Sequence, residues 1–313
     1  MNSPFFSIII PLYNREKKIA NAIQSVLNQT FQDFELIVVD DCSTDNSAQI
    51  IAVFQEKDSR IKYLKNEFNQ ERCVTRNKGI LKAKGNYICF LDSDDYHLPH
   101  HLEVFYKRIQ IEQFPKGFFF SSSWNETEDG IRSKRMCPSV GKLNLYHYFL
   151  NYTVNPQRWC VESIVAKSIL FDPQIVICED LDFSLRVVEK GYPIFQILDR
   201  TTVYVATEDS FTHGDSNKWE KELFYLKRIF EKPQLKKKLP KKDRNRLLSI
   251  CFYHLASKFN QLNQDFKTIK FATKSIYLNP FGYKKGITKD LFILIIVSLP
   301  LIIYFKKNKK LFH

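Results

Sequence analysis

Several common signatures of function are missing from this chain of 313 residues. No two of its seven cysteines stand at C-x-x-C spacing, which argues against a zinc site or a disulfide framework and indicates a reducing compartment. No G-x-G-x-x-G turn follows the first apolar run, where the chain reads PLYNREKK, and this excludes a Rossmann-type oxidoreductase. The first residues lack a basic n-region, so we expect no signal peptide.

Long apolar runs are also scarce, and the candidate membrane segment at 291–305, LFILIIVSLPLIIYF, is interrupted by Ser298 and Pro300. A spanning helix needs about 20 apolar residues, so this segment is too short to cross a bilayer comfortably. The sequence KKNKK follows it directly. We therefore expect partial insertion into the cytoplasmic leaflet, with the lysines on anionic headgroups. A buried helix broken at Pro300 is the alternative.

Positive charge is distributed unevenly along the chain. Residues 1–215 contain 24 Lys and Arg against 28 Asp and Glu, a net charge of −4. Residues 216–313 contain 23 against 6, a net charge of +17. Because the whole excess lies at one end, we expect that end to meet an anionic surface. The change in composition also predicts a domain boundary, with a first domain at 1–215 and a basic helical region at 216–313.

The first half of the chain alternates apolar runs with amphipathic helical patterns. Four runs are typical of buried strands: FSIIIPL, FELIVVD, IKYL and NYICFLD. Unbroken apolar strands separated by helices predict an α/β fold with a mostly parallel sheet covered on both faces. Later strands are predicted at GFFFSSSW, QRWCVESIVAKSIL and YPIFQILDRTTVYVA. Basic helices are predicted from Ser216 onward, with a solvated connector at 236–246.

Polar side chains stand where three of the predicted strands end, in Tyr13-Asn14, Asp40-Asp41 and Asp92-Ser93-Asp94-Asp95. Ligands of parallel α/β sheets bind at the carboxyl ends of the strands. Neighbouring carboxylates repel each other, and a cation or water must compensate their charge. A D-x-D pair suits Mg²⁺ or Mn²⁺, which bind through one or two carboxylates and substrate phosphates. A solvated acidic loop is the alternative for this pair taken alone.

Four segments, in this order, carry a resemblance to a known family: SIIIPLYN, ELIVVDDCSTDNS, TRNKGILKAKGNYICFLDSDD and EDLDFSLRVVEKG. Their order and spacing strongly resemble the family 2 glycosyltransferases of bacterial surface-polysaccharide synthesis, over about residues 5 to 210. The resemblance implies a GT-A fold and a catalytic domain at 1–215. Cys42 and Thr75 depart from the family's usual glycine and alanine, and both are small replacements.

The resemblance also implies a donor site at the strand ends, in which Asp41 contacts the nucleotide base. Its residues are Pro11, Tyr13, Asn14, Asp40, Asp41, Arg76, Asn77, Asp92 and Ser93. Asp94 would bind a Mn²⁺ or Mg²⁺ ion directly, with Asp92 beside it. His213 lies near the position where some members of the family supply a diphosphate or metal contact.

The family's general base falls on the Glu179-Asp180 pair, for which we choose Asp180. Such a carboxylate takes the proton of the acceptor hydroxyl as that oxygen attacks the anomeric carbon. With no second carboxylate evident as a nucleophile, we expect single displacement with inversion. An ordinary helix start decorated with acids is the alternative for this pair taken alone.

The expected function is therefore transfer of a hexosyl or N-acetylhexosaminyl group from a nucleotide sugar, most commonly a UDP-sugar in this family. The expected acceptor is a saccharide or lipid-linked saccharide at the cytoplasmic face of the membrane. A non-catalytic membrane or nucleic-acid adaptor using the basic tail is the alternative. No RNA-binding aromatic motif or helix-turn-helix pattern supports it, so we expect no nucleic-acid partner.

Overall fold

The computed structural model describes residues 3–127, 129–135, 137–152, 154–206, 217–262 and 264–279. These residues belong to two compact units, one within 1–214 and the other within 215–313. The predicted contact residue His213 and the predicted membrane segment 291–305 lie outside the described residues.

The first unit begins with alternating strands and helices, as its hydrophobic pattern predicts. The elements are β1 (Phe6–Leu12), α1 (Ile19–Leu27), β2 (Phe34–Asp40), α2 (Ser47–Lys57), β3 (Ile61–Lys65), α3 (Glu71–Lys82) and β4 (Tyr87–Phe90). Every residue of β2 is buried, because helices cover both faces of the sheet. Helix α1 contributes a buried stripe of Ile19, Ala22, Ile23 and Val26 at helical spacing.

The second half of this unit has shorter and more varied elements. They are β5 (Tyr96–His97), α4 (His101–Ile111), β6 (Phe118–Glu126), β7 (Arg132–Lys134), α5 (Leu145–Asn151), β8 (Trp159–Glu162), α6 (Ser163–Ile169), α7 (Glu179–Glu189) and β9 (Ile194–Val205). The prediction of a strand through QRWCVESIVAKSIL is wrong after Glu162. The Glu162 side chain accepts a hydrogen bond from the backbone N–H of Val165 at 3.0 Å, and this cap starts helix α6.

The strands form one nine-stranded sheet in the order β3-β2-β1-β4-β8-β6-β9-β5, with β7 paired to β6. Strands β1 to β4, β6 and β9 run in the same direction, and β5, β7 and β8 run against them. The prediction of an α/β fold with a mostly parallel sheet is therefore confirmed.

Close packing of α3 on β1 depends on Gly79. A Cβ atom at that position would lie 2.5 Å from Cγ2 of Ile9, nearer than side chains tolerate. Glycine thus lets the helix approach the central strand, and it fixes the position of Arg76 one turn earlier on the same helix.

The described part of the second unit consists of four helices, α8 (Lys218–Phe230), α9 (Pro233–Lys236), α10 (Lys241–Gln261) and α11 (Asp265–Leu278). The predicted connector at 236–246 is wrong from Lys241 onward, because helix α10 begins there directly after Pro240. Helices α10 and α11 pack through Ala256 and Ala272, both fully buried. None of the described helices combines the length and the apolar character needed to cross a membrane.

Candidate functional site

The carboxyl ends of β1, β2 and β4 meet at one edge of the sheet. Leu12 pairs with Asp40 in parallel register, and the backbone N–H of Asp41 donates to the carbonyl oxygen of Leu12 at 2.8 Å. On the other side of β1, the N–H of Leu91 donates to the carbonyl oxygen of Ile9 at 3.0 Å. The polar residues that follow these strands therefore lie side by side.

The loop after β1 is tied to the loop after β2. Asn14 has a left-handed backbone (φ 49°), and its side-chain oxygen accepts a hydrogen bond from the backbone N–H of Thr44 at 2.9 Å. Asp40 accepts from the N–H of Ser43 at 2.8 Å and from the hydroxyl of Tyr63 at 2.5 Å. Asn14 and Asp40 thus shape the two loops. Tyr13, by contrast, is 46% exposed and presents its ring to solvent at this edge.

Asp41 is buried, and one of its oxygens serves two donors. Oδ1 accepts from the side-chain amide of Asn66 at 2.7 Å and from the backbone N–H of Gln70 at 2.8 Å. The side-chain oxygen of Asn66 in turn accepts a hydrogen bond from the ammonium of Lys78 at 2.9 Å. The sequence analysis did not identify Asn66 or Lys78, because no local pattern marks a residue that orients a distant carboxylate.

Arg76 joins two parts of the chain that are far apart in sequence. Its guanidinium donates to Oδ1 of Asp92 at 2.7 Å and to Oε1 of Glu179 at 2.9 Å. Only 4% of its side chain is exposed, and Phe171 lies 5.4 Å from its guanidinium carbon. Burial alone would lower the pKa of Arg76, but the two carboxylates raise it above its ordinary value. A buried arginine thus links the D-x-D strand end to the start of helix α7.

The side chain of Asn77 is hydrogen-bonded to backbone beside the site, and the donor contact predicted for it stays a prediction. Its side-chain amide donates to the carbonyl oxygen of Phe171 at 2.8 Å, and its side-chain oxygen accepts from the N–H of the same residue at 2.7 Å. Both ends of the carboxamide are therefore occupied by backbone, and Asn77 holds the segment before helix α7 against α3.

The acidic residues after β4 have different surroundings. Asp95 is buried and accepts from the side chain of Gln157 and from the N–H of Val205, each at 2.9 Å. It therefore fastens this loop to the end of β9. Asp94 is partly exposed and lies 3.8 Å from the Arg15 guanidinium. Burial and the charge of Asp92 raise the pKa of Asp94, while Arg15 opposes this shift.

The carboxylates of Asp92 and Asp94 suit a hard divalent cation. Among the described residues, no three His, Cys, Asp or Glu side chains come together as metal ligands. An ion held by one or two carboxylates and by substrate phosphates does not need such a cluster. Burial is the largest cause of the raised pKa of Asp94 and the charge of Asp92 the next, and a bound cation would favour the ionised form against both. The donor set therefore fits Mg²⁺ or Mn²⁺.

Helix α7 opens with the Glu179-Asp180 pair. Cys178 precedes it in a left-handed conformation (φ 62°), which turns the chain sharply into the helix. Glu179 is largely buried against Arg76, whereas Asp180 is partly exposed. Burial and the neighbouring charge of Glu179 raise the pKa of Asp180 from 3.8 to about 7. A carboxylate that is half-ionised near neutral pH is suited to proton transfer.

Arg135 is a further cation near this pair. Its backbone N–H donates to the carbonyl oxygen of Ser123 at 3.2 Å, and its guanidinium carbon lies 5.6 Å from the ring of Tyr204. Its positive charge opposes the upward shift in the pKa of both Asp95 and Asp180. The stretch around it has no clear periodicity, which is why the sequence analysis did not identify it.

Comparison with known proteins gives a consistent result. The family model described as glycosyl transferase family 2 matches residues 7–166. A putative colanic acid biosynthesis glycosyl transferase of Escherichia coli is 33% identical over 197 residues, which cover 61% of this chain and 69% of that protein. A putative teichuronic acid biosynthesis glycosyltransferase of Bacillus subtilis is 28% identical over 232 residues, which cover 73% and 89%.

Solved structures share the fold at lower identity. S. aureus TarS 1–349, determined in complex with UDP-GlcNAc, superposes with a TM-score of 0.63 at 20% identity and covers 97% of this chain and 92% of that one. A mannosyltransferase from Pyrobaculum calidifontis, determined with GDP-Man and Mn²⁺, gives a TM-score of 0.59 at 11% identity, covering 95% and 81%. Both likenesses concern the fold alone.

Proposed function

The chain belongs to glycosyl transferase family 2, and from that premise we propose that it transfers a sugar from a nucleotide-diphosphate sugar to a saccharide or lipid-linked saccharide. The product would be part of a cell-surface polysaccharide. The names of the colanic acid and teichuronic acid relatives support this pathway class. The UDP-GlcNAc in the TarS structure supports a UDP-sugar as donor, with a hexosyl or N-acetylhexosaminyl group transferred.

The observation that carries the proposal is the Asp92–Arg76–Glu179 bridge, with contacts of 2.7 and 2.9 Å. The bridge joins Asp92, a candidate donor-binding carboxylate, through the buried Arg76 to Glu179, the neighbour of the candidate general base Asp180. Such a site can raise the reaction rate largely by holding the reacting hydroxyl in position against the donor. In this role Arg76 is a positioning residue, and its two terminal nitrogens each donate to a protein carboxylate.

Asp180 is the proposed general base. Its raised pKa lets it accept the proton of the acceptor hydroxyl and release it again near neutral pH. Glu179 accepts a hydrogen bond from Arg76, and its negative charge helps to raise the pKa of Asp180. With a single base and no carboxylate assigned as nucleophile, the proposed reaction is one displacement with inversion at the anomeric carbon.

The proposed donor site lies along the strand ends. Tyr13 offers an exposed ring to the base, and Asp41 is held rigidly by Asn66 and Gln70 for a contact with the base or ribose. Pro11, Asn14, Asp40 and Ser93 shape the surrounding loops. Asp92 and Asp94 would hold Mg²⁺ or Mn²⁺, and a bound ion would supply charge stabilisation to the departing diphosphate.

We further place the protein at the cytoplasmic face of the membrane. The net charge of +17 in residues 216–313 and the apolar sequence at 291–305 followed by KKNKK support peripheral attachment there. Such attachment would hold the site near a lipid-linked acceptor.

The test is release of nucleoside diphosphate from a panel of UDP-, GDP- and dTDP-sugars, with a mixture of membrane lipids and oligosaccharides as acceptor. We expect one donor to react, and Asp180→Asn to lower the rate about 100- to 10,000-fold, the usual contribution of a general base. Asp33→Asn is the matched control, because Asp33 is exposed on the first unit and outside the site.

Equal rates for wild type and Asp180→Asn would contradict the assignment of the base. Failure of every donor to bind or react would instead favour the adaptor function.

A further inference from the structure

The outer face of helix α11 (Asp265–Leu278) is basic and aromatic. Lys267, Lys270 and Lys274 are exposed and stand three, then four residues apart, so they share one side of the helix. Phe266 and Tyr277 lie near its two ends and are 74% and 86% exposed. We call these five side chains the outer face.

The opposite face of the same helix is fully used in packing. Thr268, Ala272 and Ser275 are buried. The hydroxyl of Ser275 donates to the carbonyl oxygen of Ser249 at 2.7 Å, and the Ser249 hydroxyl donates to the carbonyl oxygen of Ser275 at 3.0 Å. These contacts with α10 fix the rotation of α11 about its axis. The outer face is therefore held outward and is not required for the core of this unit.

Among the described residues, no carboxylate forms an ion pair with the three lysines. Lys267 lies 4.8 Å from the ring of Phe259, and Lys274 lies 5.5 Å from the ring of Phe252. By contrast, Lys258 of helix α10 forms an ion pair with Glu220 at 2.9 Å. The aromatic rings thus orient the lysines while leaving their positive charge available.

We propose that the outer face docks on the anionic surface of a lipid bilayer. Lysines in the middle with aromatic rings at both ends match a headgroup layer, where ammonium groups meet phosphates and rings reach the acyl boundary. The apolar sequence 291–305 begins 13 positions after the helix ends at Leu278, and KKNKK follows it directly, so these sequences and the outer face can reach one surface. Duplex DNA would use the lysines through its phosphates, but its bases are already stacked on one another and have no comparable use for exposed rings at the helix ends.

This inference deepens the membrane attachment in the proposed function, and it names the structured surface that makes the contact. It does not depend on the identity of the sugar donor. Binding to lipid and binding to donor can therefore be measured separately on the same protein.

The experiment is cosedimentation of the full chain with phosphatidylcholine vesicles that contain or lack phosphatidylglycerol. The test variant is Lys267→Gln/Lys270→Gln/Lys274→Gln. The matched control is Lys57→Gln/Lys82→Gln/Lys116→Gln, which removes the same charge from exposed lysines of the first unit. Because each lysine near an anionic surface contributes about fivefold in affinity, we expect the test variant to bind about 100-fold more weakly.

A second variant, Phe266→Ala/Tyr277→Ala, examines the rings. Wild type should keep part of its vesicle binding at high salt, because ions do not screen the burial of aromatic rings. We expect the ring variant to lose this salt-resistant part. Circular dichroism and the melting temperature establish that each variant is folded.

Equal losses in the test and control lysine variants would overturn the proposal, since net charge alone would then explain binding. Unchanged binding in the test variant would overturn it as well. Tighter binding of a DNA duplex than of anionic vesicles at about 150 mM salt would overturn it in favour of a nucleic-acid surface. Thermal shifts with nucleotide sugars, measured on the same variants, report separately on the proposed enzymatic function.

Discussion

At the scale of single residues, Arg76 is the side chain on which most of the site depends. It is buried and bonded to both Asp92 and Glu179, so its removal would take the counter-charge from Asp92 and leave Glu179 with Arg72 at 3.9 Å. Lysine keeps the charge but offers a compact ammonium in place of a planar fork, and it cannot serve both carboxylates in the same geometry.

We therefore predict that Arg76→Lys lowers kcat/KM about 10- to 100-fold, which corresponds to one charge-assisted hydrogen bond. The melting temperature should fall as well. Arg72→Lys is the control, because Arg72 is 32% exposed and 3.9 Å from Glu179. Similar behaviour of the two variants in steady-state kinetics would argue against a positioning role for Arg76.

The raised pKa of Asp180 predicts an unusual relation between activity and stability. Because its pKa is about 7 when folded and 3.8 ordinarily, the folded protein keeps a proton that the unfolded chain loses between about pH 4 and 7. The contribution of this group to stability therefore declines as pH rises through that window. Activity, by contrast, should rise with an apparent pKa near 7, because the base must be ionised.

Asp180→Asn should accordingly be less active but more stable than wild type at pH 8, with a smaller difference in melting temperature at pH 5. Thermal unfolding at several pH values measures this directly, with Asp33→Asn as reference. Lower stability of Asp180→Asn at pH 8 would show that the carboxylate is not destabilised in the folded state.

Many residues of the candidate site could be predicted from the sequence, but the contacts between them could not. The acidic strand ends and the Glu179-Asp180 pair stand out as local patterns. Their resemblance to one family predicts that they belong to one site. Nothing local shows that the side chain of Asn77 bonds to the backbone of Phe171. Contacts across such sequence distances depend on the packed fold. The roles of the site residues in donor binding and catalysis remain proposals.

At the scale of elements, helix α3 carries Arg76 and its position depends on Gly79. A Cβ at residue 79 would meet Ile9 of β1 at 2.5 Å, so the helix or the strand would have to move. Overpacking of this kind costs about 1–3 kcal/mol.

We predict that Gly79→Ala lowers the free energy of unfolding by about that amount and also lowers activity, because Arg76 shifts with the helix. Ile9→Ala opens a cavity and destabilises by itself, but it also removes the atom that the new Cβ would meet. The double variant should therefore be more stable than the sum of the single changes implies, as measured by denaturant unfolding. Strict additivity would mean that the two residues do not limit the approach of α3.

Element predictions succeeded where hydrophobic periodicity is strong. The bounds of β1 and β2 agree with the predicted runs, since a fully buried parallel strand is apolar throughout. They failed where a local cap overrides the pattern, as at Glu162, and where Pro240 begins a helix within a highly charged stretch.

At the scale of the whole molecule, composition separates an acidic first unit from a basic helical second unit. The α/β class and the mostly parallel sheet follow from the alternation of elements, and the structure confirms them. The sugar and the acceptor do not follow, because specificity depends on contacts between residues far apart in sequence, which no local pattern shows.

The central claim, a nucleotide-sugar site built on Asp92 and Asp94, is tested most directly by thermal unfolding with nucleotide sugars. The panel would contain UDP-, GDP- and dTDP-sugars with Mn²⁺ or with EDTA, for wild type and Asp94→Ala. At about 100 times its dissociation constant, a ligand adds about 2.7 kcal/mol to the stability of its binding partner. The account predicts that one donor raises the melting temperature of wild type when Mn²⁺ is present, and that this rise is lost in EDTA and in Asp94→Ala. Absence of a shift with every donor, or an equal shift in Asp94→Ala, would contradict it.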